Sequence, residues 1–133
     1  SLNPSTKAIR TMKARYPRAM NLTVNTLAQA LKAEVLALPA PDRVPHGAYC
    51  SDLLSWVMGH AKADNVWVTI MTNKNVLAVA SLIDVSVVVI CENAEVEEEF
   101  LSTAKEKEIN VLRSALDSYT VCAQLSRLLE PNA

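Results

Sequence analysis

Two hydrophobic periods alternate along the chain. Residues 66–72 and 86–90 are short, continuous apolar runs rich in β-branched residues, and the apolar segment between them has helical character. Strands buried on both faces read as unbroken apolar runs, and a parallel strand pair needs a crossover of about a dozen residues, usually a helix. The stretch 66–93 is therefore expected to be a strand, helix, strand unit around which the rest of the chain is placed.

The same reading extends to both sides. Val24, Leu27, Ala28 and Leu31 recur at helical spacing, with Thr23 and Thr26 as an incomplete capping signature, which predicts a first helix ending near Lys32. Residues 33–38 read as a short strand closed by Pro39. Pro39, Pro41 and Pro45, with Asp42 and Arg43 between them, make a loop in which regular hydrogen bonding is repeatedly interrupted. Residues 47–50 are expected to be a strand. Ser51 or Asp52 is placed to cap the helix that follows, in which Leu53, Trp56, Val57 and His60 share one apolar face.

Downstream, Thr72 or Asn73 can cap the crossover helix. After Ile90, the acids Glu95, Glu97, Glu98 and Glu99 are expected in the first turn of a helix whose inner face is Val96, Phe100, Leu101 and Ala104. Residues 110–112 open another strand. A last helix places Tyr119, Cys122, Ala123 and Leu125 or Ser126 on one side and stops at Pro131. Short buried strands each followed by an amphipathic helix form an α/β pattern. A weaker helical pattern over 5–15 ends before Pro17.

The chain has 133 residues, half of them hydrophobic and a fifth charged, which fits one globular domain with its own core. The longest apolar stretch is interrupted by Asn73, Lys74, Asn75 and Asp84, too soon for a membrane span. The N-terminal residues are polar and basic, with no apolar signal region. A cytoplasmic protein is the default expectation. The net charge of −1 hides an asymmetry, because Lys7, Arg10, Lys13, Arg15 and Arg18 stand in residues 1–19 without an acid. That basic leader offers a route to nucleic acid, but it shows no recognition helix, so nucleic acid is not the expected partner.

Candidate chemistry is sparse. Gly47 and Gly59 are the only glycines, which excludes a Walker loop and a dinucleotide-binding glycine fingerprint. Cys50, Cys91 and Cys122 show no metal-ligand spacing, and His46 and His60 have no partner at ligand spacing. No metal or cofactor is implied. A cysteine-dependent enzyme, with Cys91 or Cys50 as nucleophile beside Asp52 or Glu92, is the alternative reading, and it lacks a histidine base placed by sequence. A small anionic ligand is best placed at the C-terminal ends of the strands, where helix starts offer free N–H groups and Lys74 adds positive charge. This gives a candidate ligand-binding set of Ser51, Asp52, Thr72, Asn73, Lys74, Asn75, Cys91, Glu92 and Asn93.

Three segments carry a family resemblance: Ala48-Tyr49-Cys50-Ser51-Asp52-Leu53-Leu54, Trp67-Val68-Thr69-Ile70 followed by Thr72-Asn73-Lys74-Asn75-Val76, and Leu116-Asp117-Ser118-Tyr119. Across about residues 22–129 the chain resembles the DRTGG domain family, in particular the small stand-alone DRTGG proteins that accompany iron-only hydrogenase systems. The resemblance implies a three-layer α/β single domain over 20–130, with a short-stranded, mainly parallel sheet flanked by helices, similar to the N-terminal domains of HPr kinase and of certain cell-wall ligases. It also implies a non-enzymatic regulatory or interaction role, a homodimer, and a partner protein in a hydrogenase or metabolic regulatory system. The residues that name the family are replaced: Thr72-Asn73 stand where the family has Asp-Arg, and Cys91-Glu92-Asn93 where it has Thr-Gly-Gly.

Overall fold

Two β-branched runs lie side by side and parallel, with Val66 opposite Val87 and Thr69 opposite Ile90. The computed structural model describes residues 22–132, so the basic leader, the helical pattern over 5–15 and the expected domain start at residue 20 lie outside the described residues. The described chain runs α1 (Val24–Leu31), β1 (Glu34–Ala37), β2 (Ala48–Cys50), α2 (Leu54–His60), β3 (Val66–Thr69) and α3 (Lys74–Ile83). It continues with β4 (Val87–Ile90), α4 (Glu98–Glu106), β5 (Val111–Arg113) and α5 (Ser118–Leu128). The strands form one sheet in the order β1-β5-β4-β3-β2. β2 to β5 are parallel, and β1 closes one edge antiparallel to β5.

Alternation along the central strands divides the core. Val66, Val68, Val87 and Val89 face one layer with Val24, Leu27, Leu31, Val121 and Leu125, which is the layer of α1 and α5. Trp67, Val88 and Ile90 face the other with Val57, Val76, Leu77, Phe100 and Ala104, from α2, α3 and α4. All four residues of β3 and of β4 are buried. Each aliphatic side chain buried in this way contributes about 1.5–3 kcal/mol, so the central pair fixes the sheet. The three-layer α/β architecture expected from the sequence is the one observed.

Local chemistry sets the element boundaries. Thr23 completes a capping box with Thr26, whose side chain takes the role usually given to a glutamate. The first N–H groups of α1 are also satisfied by the proline-rich loop, Val24 donating to the Arg43 carbonyl at 2.8 Å and Asn25 to that of Pro41 at 3.1 Å. Asn73 caps α3 and Asp117 caps α5. β3 stops at Thr69, short of the expected 72, because the Ile70 N–H turns to the Asp52 carboxylate.

Several expectations are corrected. Neither Ser51 nor Asp52 caps α2: Leu53 occupies the cap position without a side-chain bond. Of the predicted apolar face of α2 only Val57 is buried, while Leu53 and Trp56 are 57% and 56% exposed. α2 is short and turns a narrow face inward, Val57 flanked by the partly buried Leu54 and Ala61. Tyr119 is 84% exposed, because it stands two positions from Val121 and so on the opposite side of α5. The inner face of α5 is carried by Val121 and Leu125. α4 begins at Glu98, so of the four acids only Glu98 and Glu99 lie in its first turn.

The N-terminal edge of the sheet is closed by a polar network. Asn110, 1% exposed, accepts from Ala40 N at 2.9 Å and donates to the carbonyls of Ala40 and Ser86 at 2.7 and 3.0 Å. Asn65 donates to the His46 carbonyl and accepts from Lys62 N. Arg43 bridges Asp64 at 2.7 Å and Asp84 at 2.8 Å, and also donates to the Asp84 carbonyl. Partial burial works against the Arg43 charge, but the bonds to Asp64 and Asp84 outweigh it and raise its pKa. The proline-rich loop is thus clamped against the turns that precede β3 and β4.

Candidate functional site

The opposite, C-terminal edge gathers the loops that leave β2, β3, β4 and β5, and the nine candidate residues lie along it. Asp52, in the loop after β2, accepts from the Thr69 hydroxyl at 2.7 Å and from Ile70 N at 2.9 Å. Thr69 in turn accepts from Met71 N. Ser51 Oγ accepts from Leu53 N, and its carbonyl receives the Trp67 indole N–H at 3.1 Å. The exit of β2 is therefore tied to the exit of β3 by a carboxylate that sequence reading had placed at a helix start.

The crossover helix begins at the same edge. Thr72 is half-buried, and Asn73, Lys74 and Asn75 are exposed. The Asn73 side-chain oxygen Oδ1 accepts from Asn75 N at 3.0 Å. Lys74 pairs with Glu99, and this hydrogen bond raises its pKa. The pairing joins the starts of α3 and α4, so the expected positive charge at the strand ends is already matched by a carboxylate.

The turn after β4 holds the most informative backbone. Glu92 and Asn93 have φ of 57° and 54°, two consecutive left-handed residues at the positions that correspond to the two family glycines. Glycine adopts this region without penalty, whereas a glutamate pays a steric cost. Their N–H groups do not point to an open cradle. Glu92 N donates to the Leu116 carbonyl at 2.8 Å and Asn93 N to that of Ser114 at 2.9 Å. The turn thereby fastens the exit of β4 to the exit of β5, and Cys91 N donates to Thr69 O on the other side. Arg113, which ends β5, donates to the Ala94 carbonyl and pairs with Glu34 on β1.

Electrostatics argue against a nucleophile. Burial pushes the Cys91 thiol up to about 11, although the Ser118 hydroxyl opposes the shift, and burial pushes Cys50 up to about 12. A thiol is nucleophilic as its thiolate, which a lowered pKa supplies and these sites do not. Asp52 lies close enough to raise both thiols further, as does Glu92 for Cys91. The structure thus brings Cys50, Asp52, Cys91 and Glu92 together, but in an arrangement that suppresses the thiolate. Among the described residues no group of three or more His, Cys, Asp or Glu side chains could hold a metal ion. No helix among them is long and apolar enough to cross a membrane.

Sequence reading missed three contributors to this edge: Arg113, the carbonyls of Ser114 and Leu116, and Cys122. Arg113 acts through guanidinium contacts to elements distant along the chain, and the two carbonyls through main-chain geometry that residue type does not announce. Cys122 is brought in by the packing of α5.

Fold and edge together define a three-layer α/β domain with a tied, open C-terminal edge and no catalytic constellation among its described residues. The sequence model of the DRTGG domain matches residues 26–128, and the chain belongs to the DRTGG domain family. No curated protein matches it. Among solved structures, it is similar to the CBS and DRTGG domains of the regulatory region of Clostridium perfringens pyrophosphatase, complexed with the activator diadenosine tetraphosphate. The TM-score is 0.64 at 12% identity, over 96% of this chain and 52% of that one. The chain thus spans about half the length of that structure, and the likeness is one of fold.

Proposed function

We propose that the domain is a non-catalytic regulatory module that works as a homodimer, pairing through the apolar surface displayed by α2, and that it senses a small anionic ligand of the nucleotide class at the C-terminal edge. The observation that carries this reading is the exposure of Leu53, at the cap of α2, and Trp56, three positions on and therefore on the same side of that helix. Ile70, 43% exposed, extends that surface across the bond between its N–H and Asp52. Exposed large apolar groups grouped in this way mark interaction sites more often than scattered single residues do. The raised thiols of Cys50 and Cys91 support the absence of catalysis.

The ligand half of the proposal draws on the activator bound in the similar pyrophosphatase regulatory region and on the position of the candidate residues, since open α/β sheets take ligands beyond the C-terminal ends of their strands. With the N–H groups of Glu92 and Asn93 committed, recognition falls to the side chains of Thr72, Asn73, Lys74 and Asn75, Lys74 exchanging its solvent-exposed partner Glu99 for the ligand. A partner protein in a hydrogenase or metabolic regulatory system, in the cytoplasm, is the setting the family resemblance suggests.

Thermal denaturation in the presence of diadenosine tetraphosphate, ATP and AMP tests the ligand reading. Binding to the native state raises the midpoint with ligand concentration, and Lys74→Ala should weaken that rise. A flat response to all three nucleotides up to millimolar concentration refutes nucleotide sensing by this domain and leaves the dimer to be judged separately.

A further inference from the structure

The three cysteines, which their spacing in the sequence gives no reason to associate, converge on one side of the sheet. Cys50 closes β2 with its Cα opposite that of Val68 on β3. Paired neighbours in a sheet point to the same face, and Val68 faces the layer of α1 and α5. Cys122, on α5, packs against that same layer, and α5 lies over β2 and β3. The two thiols are neighbours there, and each bears on the titration of the other. Cys50 is exposed and Cys122 half-buried, so the pair opens to solvent. Cys91 differs: it is fully buried, beside the Ser118 hydroxyl.

We propose that Cys50 and Cys122 are a redox pair that closes to an intramolecular disulfide by exchange with a small disulfide of the glutathione class, RS–SR, and reopens with thiols. The Cys122 thiol, raised by burial but lowered in part by its neighbour Cys50, loses its proton, and its sulfur attacks one sulfur of RS–SR. An S–S bond forms between Cys122 and that RS group, the original S–S bond breaks, and the departing RS⁻ takes up the proton lost by Cys122. Cys50 then gives up its own proton and attacks the Cys122 sulfur of the mixed disulfide. This forms the Cys50–Cys122 bond and releases the second RS⁻, which leaves as RSH. Two protein thiols are oxidised and one external disulfide is reduced to two thiols.

The loop that the bond closes contains α2, β3, α3, β4, α4 and β5, most of the domain. Cross-links across long loops constrain the unfolded chain most strongly, and the oxidised domain should melt higher by roughly 10 °C. Burial keeps both thiols protonated at neutral pH, so the exchange is slow and is best followed under mildly alkaline conditions.

The test incubates the full chain with oxidised glutathione, maps peptides without reduction and records the melting midpoint. The expected result is one linked Cys50–Cys122 peptide, Cys91 left free, and a raised midpoint that dithiothreitol reverses. Cys50→Ser should stop at a glutathione adduct on Cys122, and neither it nor Cys122→Ser should gain stability from oxidation. A wild-type chain that keeps a glutathione adduct on Cys50, links Cys50 to Cys91, or links two chains through Cys50 overturns the proposal. If a serine variant fails to fold, the wild-type peptide map decides alone.

Discussion

Replacing Asn110 by alanine removes one acceptor and two donors from the closed end of the sheet. The amide bonds Ala40 N at 2.9 Å, Ala40 O at 2.7 Å and Ser86 O at 3.0 Å, and the residue is 1% exposed, so water does not readily replace it. At about 1 kcal/mol net for each bond, the substitution should cost about 3 kcal/mol, a large share of the roughly 5–15 kcal/mol by which a domain of this size is stable. In urea, with a slope near 1.5 kcal/mol per molar, the midpoint should fall by about 2 M with the slope unchanged. Asn110→Asp keeps the acceptor for Ala40 N but turns oxygen toward two carbonyls, and it should cost more than alanine at neutral pH. Its carboxyl is favoured protonated in the folded state, so the folded pKa lies above the unfolded value and the variant loses stability as pH rises between the two. A midpoint for Asn110→Ala within about 0.3 M of wild type would refute the claim that this amide clamps the proline-rich loop to the sheet.

Other perturbations separate the parts of the account. Glu92→Gly should stabilise the domain by about 0.5–1 kcal/mol by removing a left-handed glutamate, and Asn93→Gly by less, because asparagine tolerates that region; urea midpoints check both. Arg43→Ala should cost about 1–2 kcal/mol, a figure kept low because its partners Asp64 and Asp84 are 45% and 71% exposed, and Arg43→Lys should recover only part of this in thermal melts, since a single ammonium cannot reproduce the fork. Hydrogen bonds from Thr120 hold the Asp117 carboxyl below its ordinary value of 3.8. The cap on α5 is therefore fully effective above that pH and is lost as pH falls through the lower folded value, which an NMR titration of Asp117 would display as a depressed midpoint.

The central sheet was legible because its physics is local to each segment. Continuous β-branched runs announced β3 and β4, and α1 showed all four buried positions, Val24, Leu27, Ala28 and Leu31, in its spacing. The helical period of α2 was equally clear, yet it did not say how narrow a face the helix turns inward, and Leu53 and Trp56 face out as a result. Asp52 was expected at a helix start because residue type fits a cap, but the exit of β3 competes for the same carboxylate and holds it. The resemblance drew attention to the turn at Cys91-Glu92-Asn93, and the structure adds that Glu92 and Asn93 are both left-handed. Arg43 and the thiol pair were beyond the sequence, since each depends on contacts between elements distant along the chain.

The central claim is that the exposed surface of α2 is a self-association surface, and sedimentation velocity tests it most directly. Wild type at micromolar concentration should sediment at twice the chain mass. Trp56→Lys should sediment as a monomer with nearly unchanged melting behaviour, because more than half of that side chain already lies in solvent. A wild-type monomer, or a dimer that survives both Trp56→Lys and Leu53→Glu, would contradict the account.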